Sequence, residues 1–150
     1  MMQLKRMAST DIPTVVPLFL EASQTRYWED GTAHDRGSAS RMLEGYFQLP
    51  SYHWMVNWAT KRAGYGHLLR SDYLESWIVS YLVAPAFQGR GIATAFVREA
   101  QDFARREGIE TIHAAVHPEN PASIRVIEKS GFRAVDPSTN SELRLYQWPP

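Results

Sequence analysis

The clearest chemical signal in the chain is the run Gln88-Gly89-Arg90-Gly91-Ile92-Ala93. It stands between an apolar, strand-like run ending at Val83 and a helical apolar pattern beginning at Ile92. Glycines at positions 89 and 91 let a backbone turn sharply and approach a ligand closely. The first turn of the following helix has amide N–H groups without intrahelical acceptors and a partial positive charge. Together these make an anion site suited to a phosphate or pyrophosphate, and Thr94 adds a hydroxyl donor. A tight strand-to-helix turn without a ligand would use the same glycines. Other phosphate loops fail on particular residues. A P-loop needs a Gly-Lys pair, and the chain has none. A dinucleotide fingerprint needs a third small residue where Thr94 stands, near the start of a βαβ unit.

The chain lacks cysteine, which excludes thiol catalysis and thiolate metal sites. His113 and His117 share a strand face, but four strand residues span about 13 Å, too far to chelate one ion together. No metal is expected, and the five histidines read as surface or cleft residues. Tyr27 and Trp28 precede Glu29, Asp30 and Asp35 in a long polar stretch. An aromatic and acidic loop would suit a cationic amine, and a solvated acidic turn is the plainer alternative.

These residues must be positioned by elements the sequence predicts. Leu4 to Ala8 reads as a strand, followed by a helix from about Thr10 and Asp11 to Ser23, with Pro17 kinking it or delaying its start. Thr25 to Ser38 reads as a loop and Ala39 to Phe47 as a helix. Strands follow at Tyr52 to Ala59, Tyr65 to Leu69 and Trp77 to Val83, with a turn at Lys61, Arg62 and Gly64. Ile92 begins an amphipathic helix that Gly108 should close. Ile112 to Val116 alternates as a strand, and Asn120-Pro121 starts a helix running to Lys129. Phe132 to Val135 and Leu143 to Trp148 complete the set. The expectation is one mixed α/β domain over residues 1–150, since that length suits a single domain. The 16 Lys and Arg balance 16 Asp and Glu, eight of each sign in each half of the chain. No basic stripe points to nucleic acid. No apolar run reaches the ~20 residues of a membrane span, and no leader is visible. A cytoplasmic location is expected.

Val83-Ala84-Pro85 followed by residues 88–93 resembles the V-x-P…[QR]-x-x-G-x-[GA] signature of the GNAT superfamily of acyl-CoA-dependent N-acyltransferases. The resemblance continues through His117-Pro118-Glu119-Asn120, Ser123, Arg125 and Glu128-Lys129-Ser130-Gly131-Phe132, and includes Ala63-Gly64-Tyr65-Gly66. It is dense over residues 75–135; over the first 50 it is a matter of element order.

The resemblance implies a central mixed, mostly antiparallel sheet with splayed middle strands and flanking helices. It implies acetyl-CoA, or another acyl-CoA, as donor, with Gln88, Gly89, Arg90, Gly91, Ile92, Ala93 and Thr94 at the pyrophosphate. Leu82 and Val83 would hold the pantetheine arm, and Val83 N–H would polarise the thioester carbonyl. Asn120 would bond the same arm or simply cap its helix. Ile127 stands where many members carry a tyrosine that protonates the leaving thiolate, which makes Ser123 the nearest hydroxyl. Glu75 is the candidate base, provided the strand containing Trp77 extends that far; Tyr81 or His117 through water is the competing arrangement. The acceptor would be a small-molecule amine or a peptide or protein N-terminus. A homodimer through the long loop or the end strands is left open. The alternatives are an acyl-CoA-binding module of the same fold without catalysis and, more distantly, a nucleotide-binding protein using the same loop.

Overall fold

The computed structural model describes residues 2–21, 25–28, 31, 33–135 and 142–150. Among them, β1 (Met2–Arg6), β2 (Ser51–Trp58), β3 (Lys61–Ser71), β4 (Ser76–Val83), β5 (Ile112–Val116), β6 (Arg133–Val135) and β7 (Arg144–Trp148) form one sheet. Its order is β1-β2-β3-β4-β5-β7-β6. Every pairing is antiparallel except the parallel contact of β4 with β5. That contact joins Trp77 to Ile112 and Ile78 to His113 and goes no further, so the middle strands separate towards their C-terminal ends.

The strand reading was close, with one displaced turn. The hairpin between β2 and β3 turns at Ala59-Thr60, with Trp58 paired to Lys61 and Ala59 at φ 53°. Gly64 and Gly66 therefore lie inside β3. They serve packing: a Cβ on Gly66 would overlap the Phe96 ring, so its absence lets that ring lie against the sheet.

The helices show why two boundaries moved. The expected first helix divides into a 3₁₀ turn at Ser9–Asp11, a single α turn α1 (Ile12–Val15) and a second 3₁₀ turn at Val16–Phe19. Pro17 has no N–H to donate one turn back, so the segment tightens instead of propagating. The next helix, α2 (Arg36–Phe47), starts three residues before the expected Ala39. Asp35 Oδ1 accepts the Ser38 N–H at 2.7 Å, while Ser38 Oγ accepts the Asp35 N–H at 3.1 Å. This reciprocal cap recruits Arg36, Gly37 and Ser38 into the helix. The amphipathic helix α3 (Ile92–Glu107) ends on Gly108 at φ 74°, and α4 (Pro121–Lys129) starts on Asn120, both as expected.

The sheet is covered on both faces. Trp54, Leu68, Val79, Ile112 and Tyr146 pack against Phe96, Ala100 and Phe103 of α3 and Ile127 of α4. On the other face, Met55, Tyr65 and Leu82 meet Val15, Phe19 and Leu43. We call these the α3 face and the α2 face. No helix among the described residues is long and apolar enough to cross a membrane.

Candidate active site

The loop at 88–93 has the form its sequence predicts. Gly89 and Gly91 adopt φ 78° and 77°, a region costly for residues with a Cβ. No protein atom lies within 4 Å of a Cβ built on either, so the space above both is open. Ala95 N–H reaches Gly91 O at 3.0 Å and begins the helical ladder. The amides of Gly89, Arg90, Gly91, Ile92, Ala93 and Thr94 have no acceptor among the described residues. Six consecutive unspent N–H groups at the positive end of a sixteen-residue helix form a concave donor surface for an anion. Two side chains are occupied elsewhere. Gln88 Nε2 donates to Val83 O at 3.2 Å, tying the loop to the end of β4, and the Arg90 guanidinium lies 5.0 Å from the Trp58 ring centroid.

The edge of β4 supplies the second component. Ala84 N–H donates to Ala63 O at 2.8 Å, which fixes the phase of the β3–β4 ladder. In that phase Ser80 and Leu82 exchange bonds with His67 and Tyr65. The peptide groups of Trp77, Val79, Tyr81 and Val83 point the other way, towards β5; the Ile78–His113 pairing spends the Val79 N–H on β5, and past it the strands diverge. Val83 thus presents its N–H to the gap as expected. Leu82 does not: its backbone pairs with β3 and its side chain is buried against the α2 face. Tyr81, two residues before Val83, takes the open-edge position instead.

Across the gap the side chains of β4 and α4 meet. Tyr81 OH and Ser123 Oγ lie 2.6 Å apart. Burial pushes the Tyr81 phenol up to about 12, so this hydroxyl stays protonated at neutral pH. Asn120 Oδ1 accepts the Ser123 N–H at 3.3 Å, which is its helix-capping role; its amide nitrogen is not used by that bond. Ile127, at the position of the absent tyrosine, is 1% exposed and belongs to the core.

The expected base fares differently. β4 begins at Ser76, and Glu75 lies before it in an exposed turn at φ 50°. The eight residues from Glu75 to Val83 span roughly 26 Å of strand. Glu75 therefore does not share a strand face with Trp77, and the structure separates it from the opened edge. His117 does stand beside the gap, at the end of β5, but its Nδ1 accepts the Glu119 N–H at 3.1 Å. A neutral ring in that arrangement carries its proton on Nε2 and is a donor there. Tyr27 arches over it: the rings are 5.2 Å apart, and Tyr27 OH donates to Glu119 O at 2.9 Å. The segment carrying Tyr27 thus reaches the start of α4. Trp28 is 8% exposed and donates from Nε1 to Tyr46 OH at 3.1 Å, as a core residue. Glu29 and Asp30, the acids of the expected cationic-amine loop, lie outside the described residues.

Sequence reading missed a buried polar chain on the α2 face. His53 and His67 are 1% and 3% exposed. Tyr65 OH lies 2.8 Å from His53 Nδ1 and 2.9 Å from His67 Nδ1. Burial lowers His53 to about 4 and His67 to about 3, so both rings are neutral near pH 7. The signal was present: positions 53, 65 and 67 alternate with the residues facing α3. Among the described residues no three potential ligands cluster to hold a metal ion.

A mixed sheet parted in its middle, with a helix N-terminus facing the breach, defines a class of acyl-CoA-binding folds. A family model for the acetyltransferase (GNAT) domain matches residues 2–133, and the chain belongs to that family. A Bacillus subtilis (strain 168) protein named Probable N-acetyltransferase YjcK is 40% identical over 60 residues. That match takes in 39% of this chain and 33% of the relative, so it spans about a third of that protein's length. The GNAT domain of S. lividans PAT superposes with a TM-score of 0.82 at 18% identity, over 98% of this chain and 89% of its own. Spermidine N-acetyltransferase from Vibrio cholerae, solved with CoA and spermine, gives 0.76 at 17%, over 97% of this chain and 92% of its own.

Proposed function

We propose that this chain transfers an acetyl or short acyl group from acyl-CoA to an amine by direct attack on the thioester. The observation that carries this reading is the six-amide anion site beside the unpaired edge of β4. CoA presents a pyrophosphate followed by an arm of alternating amide donors and acceptors. The pyrophosphate suits the amides of Gly89 to Thr94, and the arm suits the open peptide groups of Tyr81 and the Val83 N–H, along which it would lie like an added strand.

The chemistry follows from those positions. The acceptor nitrogen attacks the thioester carbon and a C–N bond forms. The carbonyl electron pair moves to oxygen, where Val83 N–H, aimed into the gap, stabilises it. Collapse breaks the C–S bond and leaves the electrons on sulfur. The Tyr81–Ser123 pair supplies a hydroxyl donor from the α4 side. A phenol near 12 does not hand its proton fully to a thiolate whose conjugate acid is near 8.5. The pair therefore stabilises the departing sulfur by hydrogen bonding, and the missing tyrosine at Ile127 is no argument for a module without catalysis.

The acceptor class is an amine, on a small molecule or at a peptide or protein N-terminus, and the setting is the cytoplasm, where acetyl-CoA is available. Titration calorimetry with acetyl-CoA, followed by a screen of spermidine, kanamycin and short peptides with released CoA as readout, tests the reading. Tight binding without turnover would assign a binding module. Absence of acetyl-CoA binding would refute both.

A further inference from the structure

The histidine chain on the α2 face has a direction, and its direction gives His67 a task. Ser51 Oγ lies 2.9 Å from Leu49 O and 3.0 Å from Tyr46 O. Carbonyl oxygens only accept, so the one Ser51 hydrogen is spent on them. Ser51 Oγ must then accept from His53 Nε2, 2.8 Å away, which puts the His53 proton on Nε2. His53 Nδ1 is therefore a lone pair and takes the Tyr65 O–H. The Tyr65 oxygen in turn accepts from His67 Nδ1–H. Both rings being neutral, His67 Nε2 is left unprotonated.

That nitrogen has no hydrogen-bond partner among the described residues. Among the described residues, the sole side-chain nitrogen or oxygen both buried and unpartnered is Arg62 Nε, so His67 Nε2 is not sealed from solvent. His67 pairs with Ser80 across the β3–β4 ladder and shares its sheet face with Leu82. Strands are about 4.8 Å apart and two residues span about 7 Å. Nε2 is thus within reach of the opened edge for an amine, or an amine and one water. The other candidates face the reaction differently: Glu75 is remote, His117 presents N–H, and Tyr81 is a protonated donor on the opposite face.

We propose that His67 Nε2 accepts the N–H of the attacking amine, orients its lone pair towards the thioester carbon and receives its proton, while Tyr65, His53 and Ser51 are positioning residues that keep that nitrogen bare. The amine arrives neutral. As the C–N bond forms, its nitrogen becomes positive and strongly acidic. One N–H bond breaks and the proton passes to His67 Nε2. Burial disfavours the His67 imidazolium, so the ring holds that proton only transiently; it ends on the departing thiolate, whose conjugate acid is near 8.5, and free CoA leaves as the thiol. The role rests on the transferase reading above; the tautomers do not.

Two measurements test it. Long-range nitrogen–proton correlation on histidine-labelled wild-type protein at pH 7 should show His67 protonated on Nδ1 and His53 on Nε2. A proton on His67 Nε2 overturns the proposal without touching the transferase reading. With whichever of spermidine, kanamycin or a short peptide the wild type acetylates, His67→Gln should lower kcat by about a hundredfold or more. Its acetyl-CoA affinity should stay within threefold of wild type. Tyr65→Phe, which keeps the ring and breaks the chain, should lower kcat about tenfold and let the His67 tautomers mix. A His67→Gln protein with kcat within threefold of wild type overturns the role. Wild type that binds acetyl-CoA yet acetylates none of the probes defeats the transferase reading and the role with it, and leaves the tautomers standing.

Discussion

Gly91 and Gly108 close opposite ends of α3 in nearly the same conformation, at φ 77° and 74°. Neither has a protein atom within 4 Å of an added Cβ. Alanine at either position therefore incurs the same penalty, the cost of holding an L residue in the left-handed region, about 1–2 kcal/mol. For a chain of this length that lowers Tm by roughly 2–8 °C. The ligand sees the two positions differently. A methyl on Gly91 stands among the six free amides, where pyrophosphate oxygens must approach, whereas Gly108 faces open solvent at the far end of the helix. Gly91→Ala should weaken acetyl-CoA binding more than tenfold, above about 1.4 kcal/mol, and Gly108→Ala should leave it unchanged. Thermal melts and titration calorimetry on the three proteins measure both quantities. Equal affinity in all three would refute the anion-site assignment. Equal weakening in both variants would show that helix strain, and not access to the amides, governs binding.

Tyr81→Phe and Ser123→Ala should each lower kcat about tenfold with little change in acetyl-CoA affinity, and the double variant should be no worse than the poorer single one; additive losses would separate the two hydroxyls. Glu75→Gly should keep kcat/KM and raise Tm by a few degrees, because the native residue sits at φ 50°; a hundredfold loss in steady-state turnover would return Glu75 to the mechanism. The buried histidines make stability fall with acid. His67 titrates near 3 folded and near 6.5 unfolded, so between those values the unfolded state binds more protons and stability declines as pH drops. His67 alone accounts for about 2 kcal/mol lost between pH 7 and pH 5. Tm measured across that range should fall less in His67→Gln, and a slope identical to wild type would contradict the burial argument.

How much of this was legible in the sequence depended on whether a local rule decided it. The donor loop, the caps of α3 and α4 and β2, β4 and β5 are set by glycine, Asn-Pro and alternation and lie where the pattern puts them, whereas β3 begins at Lys61, four residues before the expected Tyr65. The start of α2 was misread because Gly37 and Ser38 look like breakers; the Asp35–Ser38 cap overrides that propensity. Glu75 was read as sharing the Trp77 strand face, whereas β4 begins at Ser76 and the eight residues from Glu75 to Val83 hold it away from the opened edge. The Tyr81–Ser123 contact joins positions 42 residues apart, and His53, Tyr65 and His67 meet only after β2 and β3 pair. Alternation marks the face on which each of these residues lies, but which of them meet is a product of register between strands.

Parting the sheet between β4 and β5 gives that end of the sheet four edges where an unbroken seven-stranded sheet has two. The inner edge of β4 presents the Tyr81 peptide groups and the Val83 N–H in the middle of the fold, flanked by apolar residues. An edge of that kind is a template for another chain's strand. A bound donor covers it; when the donor is scarce, the same groups are available to a neighbouring copy in the crowd. Donor binding along β4, as proposed above, should therefore have a second effect unrelated to chemistry, protection against strand-to-strand aggregation. Abundance of soluble protein should accordingly follow the supply of acyl-CoA during expression, and hydrogen exchange at the Tyr81 and Val83 amides should slow when the donor is added.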